Sequence, residues 1–191
     1  MDLTQGTKEE KNSRAKKMML WFGIISMIMM FAGFTSAYVV SSNRPDWVDD
    51  FQLPNAFVWS TVVIVLSSIA LFFVKKSLTK GKRKNATILL LSTFVLGLVF
   101  IFLQFKGFGQ IISEGYYFTG PASTINSSFI YLVVLAHLAH VAAGLVVLSV
   151  LIYNHFKQRY KTGQTLGLEL GATFWHFVDL LWLYLFLFFI S

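Results

Sequence analysis

Five stretches of the chain, 18–40, 56–74, 86–105, 128–153 and 170–190, are almost continuously apolar, and the polar residues collect between them. A helix needs roughly 20 mostly apolar residues to cross a hydrocarbon core about 30 Å thick. The pattern therefore predicts an all-α, polytopic membrane bundle of five transmembrane helices. Pro45, Pro54 and Pro121 all fall outside the stretches, where they leave helical hydrogen bonding intact. No internal repeat or low-complexity segment is visible, so the duplicated halves of many transporters gain no support. The domain reading is a basic tail over 1–17 followed by one membrane domain over 18–191.

The charges refine this picture by where they lie. The tail holds Lys8, Lys11, Arg14, Lys16 and Lys17, and the successive connections hold one, six, one and three basic residues. Alternate sides thus carry fourteen and two of the sixteen. The positive-inside rule then puts the N-terminus in the cytoplasm and Ser191 outside, and the acidic loop of Asp46, Asp49 and Asp50 fits the outer face. A net charge of +7 distributed in this way serves topology and anionic headgroups rather than nucleic acid. The basic N-terminal stretch precedes an apolar segment longer than the 7–15 residues of a signal peptide core, and reads as a retained anchor. Composition agrees: 55% of residues are hydrophobic and 13% charged, against about 45–50% and about 25% in soluble domains. The absence of cysteine excludes disulfides, thiolate zinc sites and iron–sulfur clusters bound by this chain.

Within a bilayer, small and polar residues mark helix faces that meet other helices. In the first span Ser26, Met29, Met30, Gly33 and Ala37 follow a spacing of three and four and form one such stripe. In the fourth, His137, His140 and Gly144 share a side, with Ala136, Ala139 and Ala143 on a small-residue surface beside it. In the fifth, His176, Asp179 and Leu183 align, flanked by Trp175 and Trp182, and the fourth and fifth helices are expected to pack face to face. An aspartate at the depth of Asp179 costs roughly 2.5–3.5 kcal/mol on the insertion scale. It needs a partner, and His176, His137 and His140 are the candidates. Three readings of these groups stay open: haem ligation by imidazoles on facing helices, a non-haem metal site from His137, His140, His176 and Asp179, or a polar network fixing helix register. No GxSxG, P-loop or HExxH motif appears, so nothing marks the chain as catalytic alone.

Trp175-His176-Phe177-Val178-Asp179, followed by Trp182 and preceded by Glu169, resembles the last helix of subunit III of haem-copper respiratory oxidases. His137-Leu138-Ala139-His140-Val141 with Gly144 is similar to that family's His-x-x-His-Val-x-x-Gly. Gln104, Leu53-Pro54-Asn55 and the segment from Ser26 to Tyr38 are weaker echoes, so the likeness spans nearly the whole chain and matches the five-helix bacterial form. It departs at Met27, where many members carry a glutamate, at Ala136 and Ala139 around the histidine motif, and at Lys106, where an acid is common.

The resemblance implies an accessory subunit with no redox centre of its own, packed against a catalytic subunit I that holds haem and copper, in the plasma membrane of a bacterium. It further implies bound phospholipid and support of proton uptake and catalytic lifetime, with His137, His140, Glu169, His176 and Asp179 as the polar network. Gly33, Ala139, Ala143, Gly144, Trp175 and Trp182 are the expected packing residues. A stand-alone haem-binding electron carrier and the companion subunit of a nitric oxide reductase are the alternatives.

Overall fold

The computed structural model describes residues 7–44, 47, 53–120, 123–158 and 166–190. Asp46, Asp49, Asp50, Pro45, Pro121, Arg159, Lys161 and Ser191 lie outside the described residues. Among the described residues five helices follow one another: α1 (Lys8–Ser41), α2 (Asn55–Thr79), α3 (Arg83–Ser113), α4 (Ile125–Phe156) and α5 (Leu166–Ile190). The shortest have 25 residues, about 37 Å at 1.5 Å per residue, which exceeds a hydrocarbon core of about 30 Å. All five are long and apolar enough to cross a membrane.

The helices outrun the apolar stretches into polar sequence, and three of those ends carry identifiable caps. α1 begins at Lys8, ten residues before the apolar run: Thr7 and Glu10 form a capping box that satisfies two orphan N–H groups. Residues 8–17 of the basic segment therefore belong to α1. Thr124 caps α4 in the same way through Ser127. α2 ends with Gly81 at φ +70°, while Lys82 N–H donates to the Ser77 carbonyl and Gly81 N–H to that of Leu78. This Schellman-type turn needs a left-handed residue, which glycine supplies without strain.

α2 and α3 form the closest pair, α4 packs on α3, and α5 packs on both α2 and α4. Among the described residues, α1 packs only on α4 and α5. Its contact face differs from the one expected. Ile24, Phe31 and Thr35 are buried, whereas Ser26, Met29, Gly33 and Ala37 are exposed and a Cβ at Gly33 would meet nothing within 4 Å. The reason is aromatic: Phe31 fills a pocket formed with Val133, Leu181 and Leu185, and turning the small-residue stripe inward would vacate it. Ala139 and Ala143 on α4 also point outward. Gly33, Ala139 and Ala143 are thus not packing residues within this chain.

Gly144, Trp175 and Trp182 do pack inside. Trp175, 1% exposed, is wedged between α3 and α4: a Cβ on Gly97 would stand 2.8 Å from its ring, and one on Gly144 would stand 2.9 Å from it. Two glycines on different helices create the slot that this indole occupies. Gly107 plays the same part for Phe57, whose Cε1 would lie 2.6 Å from an added Cβ, and this lets α2 approach α3 closely.

Candidate functional site

Hydroxyl groups on α2 organise the polar residues of α5. Trp182 Nε1–H donates to Thr61 Oγ1 at 2.9 Å and Trp175 Nε1–H to Ser67 Oγ at 2.8 Å. The Ser68 hydroxyl is hydrogen-bonded to His176 Nδ1. Three side chains of α5 are thereby fixed to one face of α2. In hydrocarbon a donor without a partner costs several kcal/mol, so such bonds pin the register between two otherwise apolar helices.

Asp179 is 3% exposed, and neither of its carboxylate oxygens has a hydrogen-bond partner among the described residues. Ser68, His176 and Asp179 line a groove of about 440 Å³ between α2 and α5, whose walls include Ile69 and Leu183. A second groove of about 610 Å³ continues toward the end of the bundle that carries the lysines, bounded by Lys75, Thr79, Glu169 and Thr173. His176 and Phe72 border both. At the mouth, Lys75 Nζ meets Glu169 Oε1 at 3.0 Å and Lys17 Nζ stands 3.9 Å from Oε2, bringing α1, α2 and α5 together.

The two histidines of α4 sit on the other side of α5. His137 is fully buried, its ring centroid 5.2 Å from Trp182, 6.0 Å from Phe100 and 6.4 Å from Phe31, and neither ring nitrogen has a hydrogen-bond partner. His140 is half-buried and its Nδ1 faces the Ala136 carbonyl at 2.7 Å. Neither meets Asp179. α4 and α5 do pack together, but through tryptophan, and the face of α5 bearing His176 and Asp179 turns to α2. The five polar residues thus fall into two groups, His137 with His140 and Glu169 with His176 and Asp179. Among the described residues no three His, Asp or Glu side chains gather as a metal site would require, so the four-ligand arrangement is not formed. The α2 hydroxyls that complete the second group had a signal in sequence: Ser60-Thr61 and Ser67-Ser68 recur seven residues apart in an otherwise apolar helix, two turns on the same face.

Further polar links join the remaining helices. Gln104 Nε2–H donates to Ser60 Oγ at 2.9 Å between α3 and α2, and Thr87 pairs with His155 Nε2 at 2.8 Å between α3 and α4. α1 is held by Tyr38 O–H donating to Asn126 Oδ1 at 2.9 Å and by Thr35 against the Tyr184 hydroxyl at 3.1 Å.

Comparison with known proteins places this arrangement. The family model described as cytochrome c oxidase subunit III matches residues 3–191. Subunit 3 of the cytochrome bo(3) ubiquinol oxidase of Pseudomonas aeruginosa is 28% identical over 170 residues, covering 87% of this chain and 79% of the relative. The same subunit of Buchnera aphidicola is 26% identical over 189 residues, covering 97% and 91%. Cytochrome c oxidase subunit 3 of Oryctolagus cuniculus is 30% identical over 179 residues, covering 85% and 64%. With five helices able to span a membrane and a match from end to end, this multi-pass membrane protein belongs to the cytochrome c oxidase subunit III family.

Proposed function

We propose that the chain is the accessory subunit III of a haem-copper terminal oxidase in the plasma membrane of a bacterium. It sits on the catalytic subunit I, which carries the haem and copper, and its N-terminus lies in the cytoplasm. It holds phospholipid and supports proton uptake and the working lifetime of the enzyme. The carrying observation is the family match over residues 3–191. The outward face of α1 supports a neighbour: Ser26, Gly33 and Ala37 are exposed on a helix whose small residues would admit a second helix closely. The alternation of basic connections supports the topology.

The test is purification in mild detergent from the native membrane, followed by an absorption spectrum and oxygen uptake with a quinol and with cytochrome c offered separately. The expected result is a haem- and copper-containing complex that consumes oxygen, and a colourless chain once separated. A chain that purifies alone with its own haem overturns the reading. Whichever donor supports uptake assigns the complex to the ubiquinol or the cytochrome c class, both of which occur among the relatives.

A further inference from the structure

The α2–α5 groove joins ionisable groups at two depths. Asp179 is ten residues beyond Glu169 on α5, about 15 Å along the axis and hence near the middle of a core about 30 Å thick. Between them stands His176, two helical turns from Glu169 and one from Asp179. It borders both the inner groove, which contains Asp179, and the wider outer one, which ends at Glu169 and Lys75. The hydroxyl of Ser68 is hydrogen-bonded to His176 Nδ1, and both line the inner groove together with Asp179. A hydroxyl can accept one proton while giving up its own, so Ser68 is placed to pass a proton between the two. The outer groove, at about 610 Å³, is roomy but walled largely by apolar surface, and Thr79, Thr173, Glu169 and His176 are the polar partners it offers to water entering from its charged end. Chains of Asp, Glu and His within a membrane mark proton routes where they have an aqueous end.

We propose that Asp179, Ser68 and His176 form a proton relay within this chain, in which Asp179 stores a proton exchanged with the Glu169–Lys75 end through the water-accessible groove. The step is balanced. The Asp179 carboxyl gives its proton to Ser68 Oγ as the Ser68 O–H passes its own to His176 Nδ1, and His176 releases its Nε2 proton to water in the outer groove. The products are an Asp179 carboxylate, an unchanged serine, a neutral histidine in the other tautomer and one proton in the groove. The reverse sequence reloads Asp179. The charged groups facing this path are Lys75 and Lys76 from α2, Glu169 from α5 and Lys17 from α1; His137 and His140 face the opposite side of α5. The relay rests on the reading of the chain as a support of proton uptake and gives that support a location.

The experiment follows the infrared carboxyl band of Asp179, assigned by heavy-isotope labelling of aspartate side-chain carboxyls, as H2O is replaced by D2O. It uses both the intact complex and the full chain in lipid nanodiscs. The expected result is a buried, protonated band that exchanges readily in the natural chain and slows by about tenfold or more when the relaying hydroxyl is removed in Ser68→Ala. Ser68→Thr, which keeps the hydroxyl, exchanges at the natural rate, and His176→Phe slows as Ser68→Ala does. Equal exchange in Ser68→Ala and Ser68→Thr overturns the relay, and so does a buried band that never exchanges in the natural chain. Co-purification of the haem-bearing subunit is scored on the same preparations. Normal co-purification without hydroxyl-dependent exchange defeats the relay alone, and hydroxyl-dependent exchange without co-purification defeats the accessory-subunit reading alone.

Discussion

Replacing Gly97 by alanine tests whether the indole of Trp175 is the wedge that sets the distance between α3, α4 and α5. The added Cβ would lie 2.8 Å from Trp175 Cη2 and 2.8 Å from Leu145 Cδ2. Leu145 can turn its methyl aside, but the indole cannot follow. Its N–H is bonded to Ser67, and on the other side the Gly144 backbone leaves so little space that a Cβ there would itself lie 2.9 Å from the ring. Overpacking of this kind costs about 1–3 kcal/mol. Against it stands the intrinsic gain of alanine over glycine in a helix, roughly 0.5–1 kcal/mol. Gly109 isolates that gain, because it is on the same helix and a Cβ there meets nothing within 4 Å. In reversible unfolding by sodium dodecyl sulfate in mixed micelles, followed by far-ultraviolet circular dichroism, Gly109→Ala is expected to be neutral or stabilising. Gly97→Ala should be less stable than Gly109→Ala by about 1–3 kcal/mol. The difference should largely vanish in a Trp175→Phe background, which removes the far edge of the indole, giving a coupling of about 0.5–3 kcal/mol. Equal effects of the two glycine changes, or a difference that survives Trp175→Phe, would refute the wedge.

Ser60→Ala should cost about 1–3 kcal/mol in the same unfolding assay, because it strands the fully buried Gln104 amide, whereas Gln104→Leu, which removes the whole polar group, should be close to neutral. His137→Phe should keep stability within about 1 kcal/mol, since both ring nitrogens lack partners in an aromatic pocket; a larger loss would show that a nitrogen is satisfied in the assembled complex. Glu169→Gln removes an ion pair whose side chains are 58% and 35% exposed. It should therefore change stability by no more than about 1 kcal/mol, with any effect shrinking further as salt is raised.

The helices themselves were legible because a bilayer imposes one strong rule, a run of apolar residues long enough to cross it, and each of the five runs became a helix. Their ends were not, since capping can carry a helix into polar sequence, as at Thr7 and Thr124, where hydropathy gives no signal. Thr7 with Glu10 extends α1 back through its lysines, and such a box has no apolar signature. The inward glycine of α4 was also readable: Gly144 occupies the expected face and takes the indole of Trp175. The small-residue stripe of α1 lies outside the contacts of this chain for a physical reason. Small residues mark a face that can be approached closely, but nothing in one chain says which neighbour approaches. Here Phe31 supplies the contact inside the chain and the stripe is left outside. The grouping of the polar residues was half legible. Periodicity aligned His176 with Asp179 correctly, but it carries no information on which helix lies opposite, and the facing hydroxyls belong to α2 rather than to the histidines of α4.

α5 organises the bundle because its two faces satisfy different requirements. Toward α2 it presents N–H groups and an imidazole that must be hydrogen-bonded in the absence of water, and Thr61, Ser67 and Ser68 meet them. Toward α3 and α4 the same tryptophans present flat apolar rings, which need space rather than partners, and Gly97 and Gly144 supply it for Trp175. One residue type thus answers both demands. A phenylalanine would lose the hydrogen bond, and a serine would lose the packing. Since lipid tails are as apolar as leucine, burial alone cannot choose one helix arrangement over another. The choice falls to these directional bonds and glycine slots. The consequence for function is positional: with α5 fixed by Trp175 and Trp182, Asp179 is held near the midpoint of α5 on the α2 side, in one groove with Ser68 and His176, rather than free to pair with the imidazoles of α4.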